Sequence, residues 1–131
     1  MKALVVEDDF ITSQVMKEIL LSFGECDVAE NGVEAIQYFS ESYTHDDPYS
    51  IIFLDIMMPE IDGQETLERI RAIENQNGVY GLDSVKIVMT TALDDFDNIK
   101  VAFKNQCEGY IVKPINKDKI INILLRLEIL E

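Results

Sequence analysis

The chain has 131 residues, 47% of them hydrophobic, which suffices for one domain with a core that needs no disulfide or metal staple. Its 25 acidic and 11 basic side chains give a formal net charge of −14; this opposes direct nucleic-acid binding, whose affinity comes largely from Lys and Arg contacts to phosphates. The two cysteines, Cys26 and Cys107, belong to no CxxC or Cys/His pattern, so neither a disulfide framework nor a zinc site is expected. No apolar run is long enough to span a bilayer and no leader pattern follows Met1, so the expectation is a soluble, cytoplasmic protein without membrane contact. The charge is uneven: residues 1–65 hold 15 acids and 2 bases, residues 66–131 hold 10 acids and 9 bases.

Ala3-Leu4-Val5-Val6 is a short apolar strand, and Ile11, Val15, Ile19 and Phe23 follow at near-helical spacing. A second strand at Cys26 to Ala29, a turn at Asn31-Gly32 and a helix with Ala35, Ile36 and Phe39 on one face come next. Ser42 to Tyr49 is polar and predicts a loop. Ile51-Ile52-Phe53-Leu54 is apolar without alternation, as expected of a central parallel strand covered on both faces. Leu67, Ile70 and Ile73 mark the third helix, and Asn75 to Ser84 predicts an extended surface loop. Val85 to Met89, the helix suggested by Phe96, Ile99, Ala102 and Phe103, Tyr110-Ile111-Val112, and a helix over Ile120 to Leu130 complete five βα units. Such alternation predicts a parallel sheet with right-handed crossovers and helices on both faces. The fold class expected is α/β, a flavodoxin-like doubly wound (βα)5 with sheet order 2-1-3-4-5, forming a single domain over 1–131 without an output domain.

In an open α/β sheet, ligands bind beyond the carboxyl ends of the strands where strand order reverses. The first strand ends in Glu7-Asp8-Asp9 and the third in Asp55, so carboxylates converge. Converging anions repel unless protonated or neutralised by a cation. Oxygen-only donors without His or Cys favour a hard ion such as magnesium. The alternative for the acidic run is capping of the first helix; that suits Asp9, whereas Asp8 suits the site. The fourth strand ends in Thr90-Thr91-Ala92 and the fifth in Lys113-Pro114. A hydroxyl, an ammonium and a carboxylate nucleophile around one crevice suit phosphoryl chemistry. Each is weak alone; their joint placement at four strand ends carries the argument.

The runs Leu4-Val5-Val6-Glu7-Asp8-Asp9, Leu54-Asp55-Ile56-Met57-Met58-Pro59-Glu60-Ile61-Asp62-Gly63, Thr91-Ala92 and Gly109-Tyr110-Ile111-Val112-Lys113-Pro114 resemble the signature of response-regulator receiver domains over essentially the whole chain. The resemblance implies that Asp55 is the phosphoacceptor and that Glu7, Asp8 and Asp55, with the Met57 backbone carbonyl, bind Mg2+. It implies phosphoryl contact for Thr91, an ion pair to the phosphoacceptor for Lys113, and a switch role for Thr91 and Tyr110. Lys113-Pro114 is expected to be the family's cis peptide, which the residues alone permit but do not predict. Thr90 competes with Thr91, and only the small residue after Thr91 separates them. Tyr110 has the alternative of an ordinary half-buried strand residue, and His45 is expected to be a solvated loop residue.

The function implied is a two-component switch, not a turnover enzyme: it accepts a phosphoryl group from a histidine kinase or histidine phosphotransfer protein and signals through a downstream protein target. An aspartyl-nucleophile phosphatase typically has a second acid two residues after the first, where this chain has Met57. A flavodoxin-type carrier needs a hydroxyl- and glycine-rich phosphate loop where this chain has Glu7-Asp8-Asp9. Met57 and Leu93, where the resemblance places side chains beside the phosphoryl group, are apolar and predict a long-lived phosphorylated state. On the last helix, Ile120, Leu124 and Leu127 are expected to form a core stripe, leaving Leu125 and Ile129 for a homodimer contact.

Overall fold

The computed structural model describes residues 1–58, 61–92 and 96–130. The elements are β1 (Lys2–Val6), α1 (Phe10–Leu21), β2 (Glu25–Ala29), α2 (Gly32–Thr44), β3 (Ile51–Asp55), α3 (Gly63–Gln76), β4 (Lys86–Thr91), α4 (Phe96–Lys104), β5 (Gly109–Val112) and α5 (Lys117–Arg126). The strands form one sheet in the order β2-β1-β3-β4-β5, all neighbours parallel. This is the expected flavodoxin-like architecture.

Alternation along the central strands explains why they lack a polar face. Leu4, Val6, Ile52, Leu54, Ile87 and Met89 pack with Ala35 and Phe39 of α2, Leu67 and Ile70 of α3, and Ile99 and Ala102 of α4. Val5, Phe53, Val88 and Ile111 point the other way, onto Met16 and Leu20 of α1 and Ile120, Ile123 and Leu124 of α5. Each fully buried Leu, Ile or Phe contributes about 1.5–3 kcal/mol, so β3, buried along its whole length, is the anchor of both cores.

Two helix faces differ from the sequence expectation. In α1 the buried residues are Ser13, Met16 and Leu20, while Ile11 and Val15 are 73% and 43% exposed. In α4 Ile99 and Ala102 are buried, but Phe96 and Phe103 face outward. Both helices carry apolar residues over more than one face, and spacing alone does not say which face meets the sheet. The helices α2 and α3 also run further than expected, shortening the loops after them, and the 3-10 turn Gly81–Asp83 sits inside the second. The Asn31-Gly32 pair is a helix start rather than a free turn: the Asn31 side chain accepts from Glu34 N at 2.8 Å. A side chain at Gly32 would collide with Thr66 and Ile61. His45 is exposed, as expected, its Nδ1 2.9 Å from Glu41 O at the end of α2.

At the last helix Leu125 is exposed as expected, but Ile129 is not surplus. The chain turns at Glu128 (φ 60°), Ile129 N donates to Leu124 O at 2.9 Å, and Ile129 packs back on the core.

Candidate functional site

The carboxyl ends of β1, β3 and β5 meet around Asp55. Glu7 follows β1 and is 2% exposed, Asp55 ends β3 and is 4% exposed, and Asp8 beside them is open to solvent. Carboxylate oxygens of Glu7, Asp8 and Asp55 all lie within 4.8 Å of one another. The adjacent Asp9 is taken up by capping: its side chain accepts from Thr12 N at 3.3 Å and from the Thr12 hydroxyl. Those hydrogen bonds hold its carboxyl below the usual range. Asp9 is therefore the helix cap expected of it, while Asp8 stands in the carboxylate cluster.

Lys113 bridges two of the three carboxylates, its Nζ 2.7 Å from Glu7 Oε1 and 3.3 Å from Asp55 Oδ2. The backbone fixes it there, since Lys113 N donates to Thr91 O at 2.8 Å, and the Lys113-Pro114 peptide is cis as expected. Burial lowers the affinity of the ammonium for its proton, but the Glu7 and Asp55 carboxylates outweigh it and the net shift is upward. Burial pushes the Glu7 carboxyl up, and the Asp55 carboxyl beside it adds to the rise. Asp8 is raised by desolvation and then by Glu7. One ammonium thus faces three carboxylates, and the surplus of negative charge is what a divalent cation relieves. The all-oxygen donor set fits magnesium.

Asp55 Oδ1 accepts from Met57 N at 3.2 Å, while the Met57 side chain is 67% exposed. Ile56 N donates to Thr90 O at 3.0 Å and Gly63 N to Ile56 O at 2.9 Å, which seats the start of α3 on the end of β3. A Cβ at Gly63 would lie 2.3 Å from Asp55 O, so only glycine fits; composition gave no reason to single it out. Asp62, the preceding residue, caps α3 by accepting from Glu65 N at 2.9 Å.

Thr91 is buried and its hydroxyl donates to Ala92 O at 3.2 Å. The sheet register pairs Asp55 with Thr90, so the register by itself does not single out Thr91. Tyr110 is 40% exposed and packs edge-to-face on Phe103 with ring centroids 6.2 Å apart. It points toward α4 rather than into the core. Pro59, Glu60 and Leu93 lie outside the described residues, so the apolar flank expected around the phosphoryl position is described for Met57 alone. Beside Lys113, a cavity of about 460 Å³ is lined by Ile11, Thr12, Val15, Ala92, Pro114 and Ile115.

Residues 3–125 match the response regulator receiver domain family, and the chain belongs to that family. It is 32% identical over 124 residues to the chemotaxis protein CheY of Halobacterium salinarum, covering 94% of this chain and 92% of that protein. It is 34% identical over 125 residues to the osmosensing histidine protein kinase SLN1 of Saccharomyces cerevisiae, covering 94% of this chain but 10% of that protein. For the probable transcriptional regulator ycf29 of Porphyra purpurea, 32% identical, the chain spans 54% of its length. Among solved structures, the receiver domain of Ssk1 in complex with the histidine phosphotransfer protein Ypd1 from Saccharomyces cerevisiae superposes with a TM-score of 0.82 at 26% identity, covering 97% of this chain and 88% of that one. CheY in the CheX-CheY-BeF3-Mg complex of Borrelia burgdorferi gives a TM-score of 0.83 at 25% identity, covering 98% and 89%. Among the described residues no helix is long and apolar enough to cross a membrane.

Proposed function

We propose that this receiver domain takes a phosphoryl group onto Asp55 in a magnesium-dependent reaction and passes the signal on by protein contact. The observation that carries this is the cluster of Glu7, Asp8 and Asp55 carboxylates, with Lys113 bridging Glu7 and Asp55, at the switch point of the sheet. Glu7 and Asp8, with Asp55 and the Met57 carbonyl, would hold the ion. When bound, it supplies positive charge that offsets the oxygens of the transferring group. Asp55 Oδ attacks phosphorus as the bond to the donor breaks, giving an acyl phosphate. Lys113 places a second positive charge beside the new phosphoryl oxygens and keeps its proton throughout. The Thr91 hydroxyl, released from Ala92 O, would donate to one of those oxygens, and Tyr110 would follow the change as the switch residue. Incubation with a small acyl-phosphate donor and magnesium should add one phosphoryl group by mass spectrometry; incorporation that persists without divalent cations would overturn the metal's part in the reaction.

A histidine kinase or phosphotransfer protein is the donor that fits, consistent with the Ypd1 complex of the structurally similar Ssk1 domain, and both would meet this domain in the cytoplasm. The apolar cavity formed by Ile11, Val15, Ala92, Pro114 and Ile115 opens beside Lys113 and gives such a donor a surface next to Asp55. An Ile11→Asp variant should accept phosphate from the protein donor at least about tenfold more slowly, the equivalent of about 1.4 kcal/mol, while labelling by a small acyl phosphate is unchanged. Equal slowing with both donors would remove the cavity from the docking site.

A homodimer through α5 is the second contact proposed, and it rests on the exposed Leu125. Sedimentation of the phosphorylated protein should show self-association that a Leu125→Glu variant lacks; a monomer at high concentration in both proteins would exclude it.

A further inference from the structure

The sheet has an open edge at β2, which pairs with β1 alone. Glu25 N donates to Met1 O and Glu7 N to Ala29 O, both at 3.0 Å. Residues 25, 27 and 29 therefore turn their backbone groups to β1, and the alternation turns those of Cys26 and Val28 outward. Cys26 is buried, whereas Val28 lines a cavity of about 510 Å³ that wraps around the edge, within the size range of small-molecule sites. Val28 packs with the core under α1. Asp27, on the opposite face, accepts from the Tyr49 hydroxyl at 2.7 Å. None of the residues clustered around Asp55 is in this lining.

Residues 1–65 contain two bases, Lys2 and Lys17, and both line this cavity. Lys2 is engaged: its Nζ donates to Asp47 O and to Asp47 Oδ2, each at 2.9 Å, and lies 4.5 Å from the centroid of the Tyr49 ring. The cavity thus already holds one alkylammonium between a carboxylate and a tyrosine ring. Lys17, partly buried on α1, forms no ion pair among the described residues. Across the edge, Asp27 is bonded to the Tyr49 phenol, which burial and then Asp27 push up so that it stays a donor. Glu41 accepts from the Gln37 amide at 3.3 Å. With His45 neutral, the carboxylates of Asp27, Glu41 and Asp47 against the two ammonium groups leave the lining one negative charge.

We propose that this cavity binds a free basic α-amino acid, L-arginine or L-lysine. The ligand's carboxylate accepts from Val28 N–H and pairs with Lys17, while its ammonium donates to Val28 O and Asp27. Its side-chain cation reaches Glu41 and the ring of Tyr38, which also lines the cavity, as Lys2 reaches Asp47 and Tyr49. The single positive charge of such a ligand matches the single negative charge of the lining. One outward residue is too short an edge for an added peptide strand, but it presents the donor and the acceptor that one amino-acid backbone needs. Binding here requires neither a metal nor phosphorylation of Asp55.

Isotope-labelled protein titrated with L-arginine and followed by NMR tests the site. The Val28 amide should shift most, and saturably within the millimolar range expected of so small a ligand. Agmatine, which lacks the carboxylate, and L-glutamate, whose side chain carries the opposite charge, should bind at least about tenfold more weakly, the counterpart of one lost charge-assisted hydrogen bond. Lys17→Gln should weaken L-arginine by about the same tenfold factor and leave agmatine unchanged, whereas Asp27→Asn should weaken both. Neither side chain belongs to the core, so both variants should unfold at the wild-type urea midpoint. No saturable shift at Val28, equal affinity for L-arginine and agmatine, or an unchanged L-arginine affinity in Lys17→Gln would overturn the site. Equal binding of L-glutamate would overturn the charge match and with it the ligand class.

Discussion

Replacing Arg71 with alanine is expected to cost about 3–5 kcal/mol of folding stability, the range found when one partner of a buried ion pair is removed. The Arg71 side chain is 10% exposed, Glu74 1% and Glu108 25%, so the variant leaves two carboxylates without their cation in a poorly solvated place. It also strips the hydrogen bonds from Val85 O and Gln106 O. Urea unfolding measures the loss, with Arg69→Ala as the control. Arg69 pairs with Glu65 on the surface at 54% and 46% exposure, and such a pair contributes less than about 1 kcal/mol. The pH dependence has a definite sign. Burial already raises the Glu108 carboxyl, and losing the guanidinium raises it further. A raised carboxyl penalises the fold above its folded pKa and not below the unfolded one, so the gap to wild type should narrow as pH falls through the carboxylate range. A loss under about 1 kcal/mol at neutral pH would show that the Arg71 network does not fasten α3 to the starts of β4 and β5.

The second large effect concerns the metal. A ligand bound only by the folded state adds about 2.7 kcal/mol at a hundredfold excess over its Kd, and magnesium should do so for the wild type. Asp8→Asn should lose most of that gain. Without metal the order reverses: Asp8 is held up by desolvation and by Glu7, so removing its charge relieves repulsion and the variant should melt above the wild type at neutral pH. That advantage should fade as pH falls below the carboxylate range, because Asp8 is then neutral in both states. Equal magnesium stabilisation of both proteins would show that Asp8 is not a ligand.

Sequence patterning conveyed the central place of β3 because Ile51–Asp55, buried at every position, has no polar alternation to misread; the order 2-1-3-4-5 came with the flavodoxin-like reading of the βα alternation. It conveyed the carboxylate cluster because strand ends are adjacent in sequence to the strands that carry them. The face of α1 was not legible, since Ile11 and Val15 repeat at helical spacing yet serve the cavity beside Lys113 while Met16 and Leu20 fill the core. Gly63 was equally hidden: the demand for glycine arises from Asp55 O, eight residues away in the chain and 2.3 Å from where a Cβ would stand. The Arg71 network joins residues 71, 74, 85, 106 and 108, which no local pattern relates. Thr91 rests on family resemblance, since the register sets Thr90 opposite Asp55.

The most direct test is to phosphorylate the protein with a small acyl phosphate in magnesium buffer, reduce it with borohydride and sequence the peptides by mass spectrometry. Reduction converts an aspartyl phosphate to homoserine and leaves free carboxylates unchanged. Homoserine is expected at position 55 alone, in an amount matching the phosphoryl groups incorporated, and none in Asp55→Asn. Homoserine at Asp8 or any other position, or an Asp55→Asn variant that still incorporates phosphate at the wild-type rate, would contradict it.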